Sequence, residues 1–269
     1  MKRRIRLLLL IFFSTLNLLS QECEYQEYYN IIDVARKQYS KKRYKEASKE
    51  LKLAFSKVDF PLGHDLSFAL TIAHKTKDDS WAGFIAEKLA KGGVPLRFFV
   101  KYERKKWYHT FLQEFPKHNE YYNKNFKPEL KNKFNSLNNR DAIFSRKLMD
   151  WYYGTIEITV ENASIEANAI LSELKKLTEQ YGFPSEHNMG YNYVKRLNRV
   201  ERTNNIALLI HSYKHGERIY EEEIPNLICN GVLFPNCENI LKNSRGFGIG
   251  TGIEQEMKTR YEMYKKKKK

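Results

Sequence analysis

Two histidines four residues apart, His211 and His215, stand in the stretch 207–233, followed by three consecutive acids, Glu221 to Glu223, and then by Cys229. On a helix such a pair shares one face, the spacing of a two-histidine metal clamp. Three features favour a plainer role. Ser212 stands where the zinc-protease pattern carries its general-base glutamate. The three glutamates suit the first turn of a helix, where acids complement the dipole and Pro225 is well placed. Ile206, Leu209, Ile210 and Tyr213 make one apolar face, which Ala207 and Leu208 widen towards His211. His211 is thus expected to be mainly structural. It remains the candidate catalytic residue, and His211 with His215 the candidate metal pair. No cofactor is implied.

Other reactive patterns are weaker. The glycines at 246, 248, 250 and 252 fit neither phosphate-cradling pattern, with no strand before them and no Lys-Ser/Thr after, and read as a surface loop. The chain contains no Gly-x-Ser-x-Gly and no Cys-x-x-Cys, which removes the usual serine-hydrolase and zinc-finger signatures. Of the three cysteines, Cys229 and Cys237 are the expected disulfide pair, closing a short loop that Gly231 and Pro235 allow to bend, with a buried free thiol as the alternative.

The amino terminus sets the expected compartment. Lys2, Arg3, Arg4 and Arg6 precede an apolar run from Leu7 to Phe13 that extends to Leu19, the layout of a secretory signal over residues 1–21. The run is short and broken by Ser and Asn, a poor membrane span. Ser-Gln-Glu before Cys23 does not suit lipoprotein processing. The mature chain is expected outside the cytoplasm, periplasmic or secreted. Without the four leader charges the formal +15 becomes +11, and the five terminal lysines account for five more, leaving +6 on the body. Charge gathered in a leader and a tail argues against nucleic-acid binding and leaves weak contact with anionic envelope surfaces.

These residues must be held by helices, since apolar residues recur at helical spacing along most of the chain, and 42% apolar with 14% aromatic supplies a core. The expected class is all-α: tandem helical hairpins over 22–117, a polar Asn/Lys-rich link over 118–137 with room for a short helix from about Pro128 to Phe134, a second helical domain over 138–256 and a basic tail over 257–269. Ile31, Val34, Ala35 and Tyr39 share one face, and Tyr44, Ala47, Leu51 and Ala54 share the next. A shift of 35 residues carries Ala47, Leu51 and Ala54 onto Ala82, Ala86 and Leu89 in a helix opened by Asp78–Asp79 and ended by Gly92–Gly93. Trp107, Phe111 and Phe115 form an apolar row, with His109 and His118 expected at the surface. Ile165, Ala169, Leu174 and Leu177 mark a long helix ended by Gly182 and Pro184, and residues 155–160 read as extended loop.

Small Ala at the crossings, aromatics at the helix ends and Pro61 beyond the stop resemble the tetratricopeptide repeat over about 25–115. Further on, "RDAIFSR", "YGFP", "ALLIH" and "GIGTGIEQ" resemble, over about 138–256, a bacterial domain of unknown function built on Asp-Gln-x-x-Arg, Gly-Trp-Pro, Gln-His and Tyr-Gly-Thr-Gln elements. Phe183 replaces the Trp and Ile210 the Gln. That resemblance implies an envelope or secreted protein. It matches Asp141 and Arg146 to the first element, Gly182 and Pro184 to the second and His211 to the third, so Asp141 and Arg146 join His211 as catalytic candidates. It implies no reaction. The function expected is a non-enzymatic module that binds a protein or peptide partner on stacked helix pairs. Its rivals are a hydrolase-like or metal-assisted enzyme centred on His211, and a polyanion- or membrane-surface binder using the lysine tail.

Overall fold

The computed structural model describes residues 23–215 and 217–243, together with residues 257, 258, 262 and 266. The expected signal segment 1–21, the glycine run 246–252 and the terminal lysines other than Lys266 lie outside the described residues. Within them the chain is all-α, with eleven α-helices and one two-stranded sheet.

The first five helices are α1 (Glu24–Ser40), α2 (Tyr44–Phe55), α3 (Gly63–Thr76), α4 (Asp79–Lys91) and α5 (Lys106–Asn125), each packed on the next. Their shared core uses small residues at the crossings, with Ala35, Ala47, Ala54, Ala69, Ala73, Ala82 and Ala86 fully buried. Alanine there lets helix axes approach closely. Asp78 caps α4 by accepting from the Trp81 backbone amide at 3.0 Å. The seam of α1 runs through Tyr28, Ile32 and Ala35, so Val34, expected inward, is exposed. On α5 Trp107 and Phe111 are buried as their spacing requires. His118 is a correction: it continues that face and stacks on the Phe111 ring at 5.8 Å, buried rather than at the surface.

The expected link over 118–137 is also helical. Only Phe126 and Lys127 separate α5 from α6 (Pro128–Tyr152). Leu130, Phe134, Leu137, Asp141, Phe144 and Leu148 form a buried stripe on α6 at alternating steps of four and three, and this outweighs the polar composition of its other faces. Residues 155–159 are loop, as expected, and Thr159 caps α7 (Val160–Tyr181). The α7 seam is Ala163, Ala167, Ile170, Leu174 and Leu177; Ile165 lies off it and is 60% exposed. Gly182, with φ of 79°, ends the helix.

There follow α8 (Glu186–Met189), β1 (Asn192–Val194) paired antiparallel with β2 (Arg199–Glu201), α9 (Ile206–Lys214), α10 (Ile224–Cys229) and α11 (Cys237–Asn243). Helix α9 packs on α6, α7 and α11. The two halves join through Tyr191. Its ring fills a slot between Gly63 and Gly92, where an added Cβ would come within 2.6 Å and 2.2 Å of ring atoms. The Tyr191 amide donates to Gly92 O at 2.7 Å and its hydroxyl to Pro61 O at 3.0 Å. At the other end of the seam the Tyr25 ring lies against Gly231.

That second contact bears on the disulfide. Cys229 is bonded to Cys23, 206 residues away, and not to Cys237. Helix α10 packs on α1, which brings the end of α10 to the start of α1. Cys237 points instead into the core of the second half, fully buried and free.

Candidate functional site

A carboxylate on the apolar stripe of α6 needs a partner, because a buried unpaired charge is costly. His211 on α9 supplies it: its Nδ1 lies 2.7 Å from Asp141 Oδ2, with side-chain exposures of 25% and 5%. Ser145, one turn beyond Asp141, places its Oγ 3.3 Å from the same nitrogen. With Nδ1–H donating to the Asp141 carboxylate, Nε2 is left as the acceptor nitrogen of the ring. In a nucleophilic triad the hydroxyl sits on Nε2. Ser145 is on the Nδ1 side, so the geometry gives an acid–histidine pair and not a serine triad.

Of the sequence candidates, Asp141 and His211 come together. Arg146 is exposed, and five helical residues from Asp141 put it on another side of α6. His215 lines the same small crevice and packs edge-on against Phe144 at 6.0 Å. Glu217 lines it as well, whereas Glu221 to Glu223 are exposed in the turn before α10. No group of three or more His, Cys, Asp or Glu converges on a metal position among the described residues. The crevice offers about 20 Å³, room for about one water.

A much larger space was not anticipated. A cleft of about 340 Å³ is lined by Asn135, Asn138 and Asn139 from α6, by Asn192 at the start of β1, and by Thr203 and Asn204 before α9. Phe134 and Met189 are buried in its wall. Asn192 donates to Arg202 O at 3.1 Å. The side-chain amides of Asn135, Asn138, Asn139 and Asn204 make no hydrogen bond among the described residues, and Asn135, Asn139 and Asn204 are exposed. Lys131 lines the same cleft and donates to Tyr191 O at 2.6 Å; burial lowers its pKa to about 8.

Glu186, at the start of α8, is buried close by. It accepts from the Gly63 amide at 2.7 Å, and burial, with Asp65 nearby, raises its carboxyl to about 7. The sequence carried one signal for the cleft: asparagines at i, i+3 and i+4 share a helical face. That signal is legible only once residues 128–152 are taken as helix.

Compared with protein-family models, with curated proteins and with solved structures, the chain matches none.

Proposed function

We propose that this protein is an exported, non-enzymatic binding module, at or beyond the cell envelope, that holds an extended peptide segment of a partner in the asparagine cleft. The observation that carries the reading is the set of four unpaired amides lining a space of about 340 Å³. A primary amide offers one donor edge and one acceptor edge, the complement of a peptide group. Asn135 and Asn139 are one helical turn apart, about 6 Å along the axis, close to the roughly 6.7 Å spanned by two residues of an extended chain. A row of amides at that pitch can address alternate peptide groups. The basic leader followed by an apolar run supports export, and the resemblance to the envelope-associated domain of unknown function points the same way.

Arrays of random dodecapeptides probed with the purified, oxidised protein test the binding reading. Capture of a subset of sequences, lost in the variant Asn135→Ala/Asn139→Ala at unchanged melting temperature, supports it. No capture, or capture indifferent to the two asparagines, refutes it.

The 2.7 Å Asp141–His211 pair favours a second reading, a general base in a hydrolase. Its crevice admits about one water and no substrate group, which ranks it below the first. Hydrolysis of an ester or peptide panel that disappears in His211→Ala would reverse that ranking.

A further inference from the structure

We infer that the ligand of the asparagine cleft presents a carboxylate, which Lys131 receives. The inference rests on the peptide-binding reading and specifies the chemistry at one end of the peptide.

Lys131 reaches the cleft from the second turn of α6, beside Phe134 and one turn before Asn135. Its ammonium has three donors. One is taken by the Tyr191 carbonyl, a neutral acceptor. No carboxylate lies within ion-pair distance of it among the described residues. The acid nearest in charge terms, Glu186, acts on Lys131 from a distance and spends its carboxylate on the Gly63 amide at 2.7 Å. A second donor on the same cleft is also unanswered, since the Thr203 hydroxyl is buried without a hydrogen-bond partner. The ammonium is half-buried, its hydrogen bond goes to a neutral carbonyl and the Tyr122 ring lies 5.7 Å away, so no counter-charge touches it. Burial displaces its pKa downward accordingly. A ligand carboxylate would supply the missing counter-charge through a charge-assisted hydrogen bond, while the amides of Asn135 and Asn139 take the neutral remainder of the chain. With no acid in ion-pair contact with Lys131 among the described residues, the cleft distinguishes an anionic ligand from a neutral one.

The carboxylate has two sources, the free end of a polypeptide or an Asp or Glu side chain within it. Three pools of random octapeptides separate them: free C-termini without acidic residues, amidated C-termini with Asp and Glu, and amidated C-termini without acids. The purified full chain is expected to retain at least one carboxylate-bearing pool about tenfold better than the neutral pool. The pool retained identifies the source. Lys131→Met should abolish the preference and Lys131→Arg should keep it. A measurement on the unaltered protein guards against misfolding of the variants: sodium acetate should displace bound peptide where sodium chloride of equal ionic strength does not. Equal retention of all three pools, a preference that survives Lys131→Met, or indifference to acetate overturns the carboxylate inference and leaves peptide binding standing. Retention of none of the pools overturns both.

Discussion

Nδ1 of His211 and Oδ2 of Asp141 meet at 2.7 Å between α9 and α6, with the acid occupying a place in the α6 stripe that its neighbours fill with Leu and Phe. Either residue alone is out of place, and together they satisfy one another. Removing the histidine strands a buried carboxylate, whereas removing the charge leaves a histidine that is partly solvated. We therefore expect His211→Ala to cost about 2–4 kcal/mol and Asp141→Leu clearly less. The double variant should recover part of the His211→Ala loss. Urea unfolding of the three variants reads this directly, and Asp141→Leu proving the costlier substitution would remove the pairing argument.

Glu186 and Lys131 give stability a particular dependence on pH. The folded state holds the Glu186 proton to about pH 7, against an ordinary value of 4.5. Its contribution is therefore fully present below about pH 4.5 and is lost as pH rises through 7. Lys131 is held down to about 8 from 10.5, so its contribution is present above about pH 10.5 and is lost as pH falls through 8. Both groups thus weigh against the fold between pH 7 and 8, each by roughly 2–3 kcal/mol. Glu186→Gln should flatten the stability profile between pH 4.5 and 7. A parallel profile for the variant would show that Glu186 ionises normally.

The disulfide is expected to join Cys23 to Cys229 in oxidised protein and to leave Cys237 as a thiol. A loop of 206 residues places the stabilisation near the top of the usual range, about 3–5 kcal/mol. Burial pushes the Cys237 thiol up to about 12, so alkylation of it should wait for unfolding. Non-reducing peptide mapping decides the pairing; a Cys229–Cys237 peptide would contradict it.

Gly63 and Gly92 are expected to tolerate no side chain while Tyr191 is present. Gly63→Ala should cost about 2–3 kcal/mol through overpacking against the ring. In a Tyr191→Ala background the same change should cost little, because the obstacle is gone. Additive costs in a thermal or urea series would mean that the slot relaxes freely.

The helical layers were legible where one face is apolar at helical spacing, as in α2, α4 and the aromatic row of α5. The start of α6 was not, because Asn and Lys crowd its sequence and the six-residue stripe beneath them has a charged member, Asp141. Reading 118–137 as a link removed from view the face that carries Asn135, Asn138 and Asn139. Asp141 became a candidate only through a resemblance, although an acid in phase with Leu137 and Phe144 already called for a buried partner. His211 was found on its own chemistry, and the nitrogen it offers Asp141 needed coordinates. The disulfide was misassigned for a related reason. Nearness along the chain favoured Cys237, while the packing of α10 on α1 decided for Cys23.

The Tyr191 slot has a bearing on the order in which the protein is made. Ribosomes deliver α3 and α4 long before residue 191, so the two glycines face each other across a gap the width of one aromatic ring while the remaining half is still being synthesised. During that interval the early layers have an unsealed apolar opening, lined by backbone that a foreign aromatic side chain could occupy. Tyr191 acts as the stopper: once it arrives, its hydroxyl meets Pro61 O and its amide meets Gly92 O, and the opening closes from within the same molecule.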